Sequence, residues 1–139
     1  GLAQEPIADP VAELRAISRA LVASMMHPES IACYRMAISE SGRNPEIGRT
    51  FDELGCAEGD EVMIRTFNAM LDRGLIEPTP LDELRDTFIG LVRGNYHHMT
   101  VSGSRPMPTD EENIARADHV VEIFMRAYGT VAMKKAAAA

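Results

Sequence analysis

The stretch from Thr109 to Gly129, TDEENIARADHVVEIFMRAYG, decides how this chain folds. Thr109 followed three residues later by Glu112 has the spacing of a capping box, in which each side chain satisfies the other's free backbone N–H. A helix is therefore predicted from here to about Tyr128, with Gly129 as its stop. Ile114, Ala117, Val121, Phe124, Met125 and Tyr128 share one face of it, and Val120, Ile123 and Ala127 lie beside them. At 100° per residue the two sets together cover about 200° of the circumference, more than one core contact explains. A second buried surface is expected.

Working outward, the same punctuation recurs. Asp9 and Pro10 are a cap and first-turn pair opening a helix to about Met26, with Val11, Leu14, Ile17, Leu21, Val22 and Met25 on one side. Pro28 with Glu29 restarts the chain, and Ile31, Tyr34 and Ile38 form the stripe of a second helix ended by Ser41 and Gly42. Asn44 and Pro45 open a short third helix carrying Ile47, Phe51 and Leu54, which Gly55 is expected to stop. A fourth, from about Asp60 to Arg73, gathers Met63, Ile64, Phe67, Met70 and Leu71 and ends at Gly74. A fifth runs from about Leu81 to Thr100, before the Ser102–Pro108 loop. No internal repeat is evident, and short connections favour antiparallel neighbours. The predicted fold is all-α, a compact antiparallel bundle of about six helices with almost no strand.

Composition agrees. The 139 residues suit one domain, and 45% apolar with 25% charged residues is ordinary for a globular protein. A formal net charge of −7 argues against a nucleic-acid surface, because phosphate binding needs clustered Lys and Arg. No apolar run approaches the roughly 20 residues of a membrane span. Cys33 and Cys56, without a signal peptide ahead of them, are expected as reduced, buried or half-buried thiols. The compartment these features suggest is the cytoplasm. Residues 1–8 read as an N-terminal extension, 9–129 as the folded unit and 130–139 as a tail.

In the fifth predicted helix Leu81, Leu84, Phe88, Leu91, Val92 and Met99 make a core face, while Thr87, Gly90, Gly94 and Val101 fall on the other side. Each glycine costs about 1 kcal/mol relative to alanine inside a helix, so close approach of a partner is the expected compensation. The last two helices are thus predicted to pair with their symmetry mates as a four-helix homodimer interface through Thr87, Gly90, Gly94, Val120, Ile123 and Ala127.

No catalytic or metal-ligand spacing occurs: there is no His-Glu-x-x-His, no Glu-x-x-His pair and no Gly-rich phosphate loop. His97 and His98 diverge by about 100° on a helix and are assigned a solvated or interface role. Neither an enzyme nor a cofactor is expected. A small hydrophobic ligand between helices is, with Met25, Tyr34, Phe51, Met63, Phe67, Met70, Phe88, Asn95 and Met99 as candidate lining. Ordinary core packing is the alternative for each. Asn95 projects among Leu84, Phe88, Leu91 and Met99, where its amide needs a partner. A helical adaptor whose wide apolar faces bind another protein is the second functional reading.

Several runs then carry a resemblance: Glu13–Ala16, Pro28-Glu29-Ser30 leading into Tyr34-Arg35-Met36, Asn44–Phe51, Asp72-Arg73-Gly74, Phe88–Gly94 and Phe124–Gly129. In this order they resemble the C-terminal regulatory domain of the tetracycline-repressor (TetR) family, in its branch of multidrug-efflux and related repressors. The resemblance implies an effector-binding domain, a homodimer made by its last two helices, and operator DNA contacted only through an N-terminal helix-turn-helix domain. The helices of that DNA-reading domain would precede Gly1 and have no counterpart in the sequence.

Overall fold

The capping box at Thr109 forms as its spacing requires: the Thr109 backbone N–H donates to Glu112 Oε2 at 2.8 Å, and the Glu112 N–H donates to Thr109 Oγ1 at 3.1 Å. The computed structural model containing it describes residues 5–138, with the backbone alone for residues 55–58 and 135–138. Its helices are α1 (Pro10–Met25), α2 (Pro28–Ser41), α3 (Pro45–Asp72), α4 (Leu81–Ser102), α5 (Asp110–Tyr128) and α6 (Val131–Ala138). The anticipated starts at Pro10, Pro28, Pro45 and Leu81 also hold. Asp9 Oδ1 accepts from Ala12 N–H at 3.1 Å and Asn44 Oδ1 from Glu46 N–H at 3.3 Å, each ahead of a proline in the first turn.

Two expected helices are one. α3 continues through Gly55 to Asp72, because no proline lies between Pro45 and Pro78 and a glycine stops a helix only where it turns left-handed. Gly74 does so, with φ +63°, just past the end of α3. Residues 131–138, read as tail, form α6. Among the described residues the nearest thing to a sheet is an isolated antiparallel bridge between Ile76 and Gly129. It ties the turn after α3 to the end of α5 through Glu77 N–H to Tyr128 O at 2.8 Å and Thr130 N–H to Leu75 O at 3.0 Å.

α1 lies against α5 and α3, and α4 closes the bundle against α5 and α3. The interior they enclose is led by Phe67, Phe88 and Phe124, whose ring centroids lie 5.5 to 5.9 Å apart. Leu14, Val22, Met63, Met70, Leu84, Val92 and Val120 are among the residues packed with them. Ser18 is the polar group α1 buries there, and its hydroxyl donates to Ala117 O at 2.8 Å. On α2 the buried residues are Ile31 and Ala37, whereas Ile38, assigned to the stripe, is 58% exposed. α2 packs at the edge of the bundle, so its contact strip is narrow.

α4 is kinked. Gly94 has φ +47° and ψ −162°, a conformation L side chains rarely adopt, and a Cβ there would meet Arg116 Nη2 at 2.6 Å. Arg116 of α5 places that nitrogen 2.5 Å from the Leu91 carbonyl, a side chain inserted where the helical ladder is interrupted. Gly94 therefore answers a backbone demand within one chain, not only the need for a small residue facing a partner. The kink also re-aims every residue after it. Buried positions on α4 run Leu84, Phe88, Val92, then jump five residues to His97.

Candidate functional site

That jump builds the floor of a cleft. Projection along an unbroken helix puts Asn95 in the core and His97 outside. In the structure Asn95 is exposed, donating its amide to Met99 Sδ at 3.2 Å, and His97 is buried. The core placement of Asn95 and the solvated or interface role of His97 are both corrected by the change of helical phase at Gly94.

The cleft has a volume of about 760 Å³ and lies between α1, α2, α3 and α4. Four predicted residues meet in it: Met25 from α1, Tyr34 from α2, and Phe51 and Met63 from α3. Phe67, Met70 and Phe88 do not line it; they are fully buried in the aromatic core. Asn95 and Met99 lie outside it as well. Phe67, Met70 and Phe88 share helical stripes with cleft residues, and periodicity alone cannot separate a packed interior from the wall of a cavity.

Tyr34 organises the deep end. Its ring meets Phe51 edge-on at 5.8 Å and His97 at 4.7 Å with planes at 90°, and the Arg93 guanidinium carbon stands 5.7 Å from its centroid. Burial holds the His97 imidazole below the ordinary histidine range, and the charges of Arg93 and His98 push the same way. The ring is thus biased to its neutral form. Arg85 bonds Asp60 at 2.9 Å across the α3–α4 side. Glu29, Asp52 and Asp86 stand exposed around the mouth.

Arg93, His97, Ile89 and the Asp60–Arg85 pair are among the lining groups that sequence reasoning missed. Arg93 and His97 are four residues apart across a glycine, and that interrupted pair was the available signal. Cys33 is a free, exposed thiol at the same cleft, less buried than expected. The side chain of Cys56 lies outside the described residues. Among the described residues no group of three or more His, Cys, Asp or Glu side chains is placed to hold a metal ion. The lining combines apolar and aromatic walls with a few convergent polar groups, which is chemistry for recognition. A second, shallower depression of about 430 Å³ lies where Glu5–Asp9 crosses Arg65, walled by exposed chain.

No helix among the described residues is long and apolar enough to cross a membrane. No curated protein matches the chain in sequence. Solved structures do resemble it. A TetR transcriptional regulator from Agrobacterium tumefaciens superposes with a TM-score of 0.77 at 24% identity, over 91% of this chain and 63% of that one. A protein described as a TetR-family transcriptional regulator from Mesorhizobium loti does so with a TM-score of 0.76 at 22% identity, over 89% of this chain and 61% of that one. This chain thus spans less than two thirds of either relative, and at such identities the likeness speaks for the fold. Sequence evidence for the family comes from the model of the AefR-like transcriptional repressor C-terminal domain, which matches residues 12–130. With that match running from α1 to just past α5, the chain belongs to the TetR family of transcriptional regulators, as a C-terminal domain of the AefR-like repressors.

Proposed function

We propose that this domain senses a small, largely apolar effector in the α1–α4 cleft and pairs with a second copy of itself, so that effector binding changes the operator affinity of the intact repressor. The observation that carries the sensing half is the cleft. Its volume of about 760 Å³ lies within the range of small-molecule sites, and it combines apolar and aromatic lining with polar groups. α4 lines that cleft with Arg85, Ile89, Arg93 and His97 and also borders α5. A ligand that shifts α4 would therefore reach the proposed pairing face directly. To act, it must bind two domain arrangements unequally, and couplings of about 1–3 kcal/mol are typical.

For pairing, Gly90, Gly94 and Ala127 are exposed and Thr87 and Ile123 half-buried, so these five remain available. Val120 does not: it is fully buried in the core of its own chain. The expected interface is redrawn without it, since part of the wide apolar arc of α5 is consumed within the chain by α1 and α4.

A thermal-shift screen of apolar small molecules tests sensing, because a ligand at 100 times its Kd stabilises the fold by about 2.7 kcal/mol. Ile89→Trp, which fills the cleft, should abolish the shift; a shift unchanged in that variant, or no shift with any compound, refutes the reading. Sedimentation tests pairing: a dimer is expected, and Gly90→Arg should yield monomer.

A further inference from the structure

The cleft contains a guanidinium with nothing to bind. Arg93 makes no hydrogen bond and no ion pair among the described residues, and its Nε is sealed from solvent without a partner. Arg105 and Arg116 also have a sealed Nε, but each uses another nitrogen. Arg105 reaches Glu112 Oε1 at 3.6 Å, and Arg116 reaches the Leu91 carbonyl. Arg93 has only the face of Tyr34. A desolvated N–H left unpaired is costly, more so when the group is charged, so an arriving acceptor is strongly rewarded.

We propose that the effector is an amphipathic monocarboxylate, its carboxylate held by Arg93 and His97 at the floor and its apolar body lying along Met25, Phe51, Met63 and Ile89. This rests on the reading of the cleft as the effector site. A carboxylate accepts from two nitrogens of a guanidinium together, so it gives Arg93 the acceptor it lacks and supplies the missing counter-charge at once. A neutral amide does only the first. The neutral imidazole of His97 offers one further N–H, on a ring already fixed edge-on to Tyr34.

An ammonium ligand would place its charge beside Arg93. Of the carboxylates that would favour it, Asp60 is bonded to Arg85, and Glu29, Asp52 and Asp86 are solvent-exposed, where salt screens them. For the same reason they do little to repel an anion seated deep. Met25, Phe51, Met63 and Ile89 give the lining its apolar part, which sets the amphipathic character of the ligand.

Calorimetric titration with 4-phenylbutyrate, its primary amide and 4-phenylbutylamine separates these cases. The acid is expected to bind once per chain, at least about tenfold more tightly than the amide or the amine, as a charge-assisted bond warrants. Arg93→Met should erase that preference by bringing the acid down to the affinity of the amide, and Arg93→Lys, which keeps the charge but loses the planar fork, should retain part of it. Thermal midpoints of both variants check that they fold. Amide or amine binding as tight as that of the acid, or acid binding unchanged in Arg93→Met, overturns the carboxylate class and leaves the effector cleft standing. Failure of all three probes overturns the class; the broader screen with Ile89→Trp then decides separately whether the cleft binds anything.

Discussion

The two ends of α3 are built from similar residue types and do different work. Toward its C-terminus Met63, Phe67 and Met70 are at most 1% exposed, and Phe67 is packed against Phe88 and Phe124. Toward its N-terminus Phe51 is half-buried and touches Tyr34 across an open cleft, and Leu54 is 78% exposed. Close-packed interiors lose energy for every missing atom, whereas a cleft wall has already given up those contacts. One end stabilises the domain. The other is left with surface to offer.

The sharpest way to break this comparison is to truncate an aromatic at each end. Phe67→Ala should cost about 3–5 kcal/mol in urea unfolding. Phe51→Ala should cost about 1 kcal/mol or less, since its side chain is only partly removed from water. Equal losses would mean that the cleft is part of the load-carrying core.

The kink joining the two regions comes next in size. Gly94→Ala should destabilise by about 1–3 kcal/mol, because the left-handed backbone and Arg116 both oppose a Cβ. Gly90→Ala should stabilise the fold by about 0.5–1 kcal/mol, since nothing lies within 4 Å of its Cβ position and alanine favours the helix. Thermal denaturation of the pair separates a glycine the backbone requires from one it merely tolerates.

On the packed side, Ser18→Ala should cost about 1–2 kcal/mol by leaving the Ala117 carbonyl without its hydroxyl donor, measured by denaturant midpoint. The smallest effect belongs to the cleft and to pH. His97 is depressed in the folded chain, so its contribution is fully present above the unfolded value of about 6.5 and is lost as pH falls below it. Stability should therefore decline on acidification from pH 7 to 5, and His97→Gln should flatten the part of that decline due to this ring.

Much of the architecture was legible because it is local. Proline at the first turn, Asp9, Asn44 and Thr109 as caps, and Gly129 at the end of α5 act through neighbours a few residues away. Spacing alone reveals them. Four of the nine candidate lining residues meet in the cleft; Asn95 and Met99 follow the kink at Gly94, while Phe67, Met70 and Phe88 are set apart by what packs against them. Met63 and Met70 differ only in what stands opposite them, and the sequence of α3 does not contain that.

Taken alone, then, the sequence determined that the chain is helical and where most helices begin. Only the tertiary structure decided that α3 runs unbroken through Gly55, that Val120 is spent inside its own chain, and that Gly94 turns His97 inward and Asn95 out. Caps and periodicity are set by a few neighbouring residues. The phase change at Gly94 instead depends on Arg116 arriving from α5 to occupy the broken ladder, a contact 25 residues distant that no local pattern encodes.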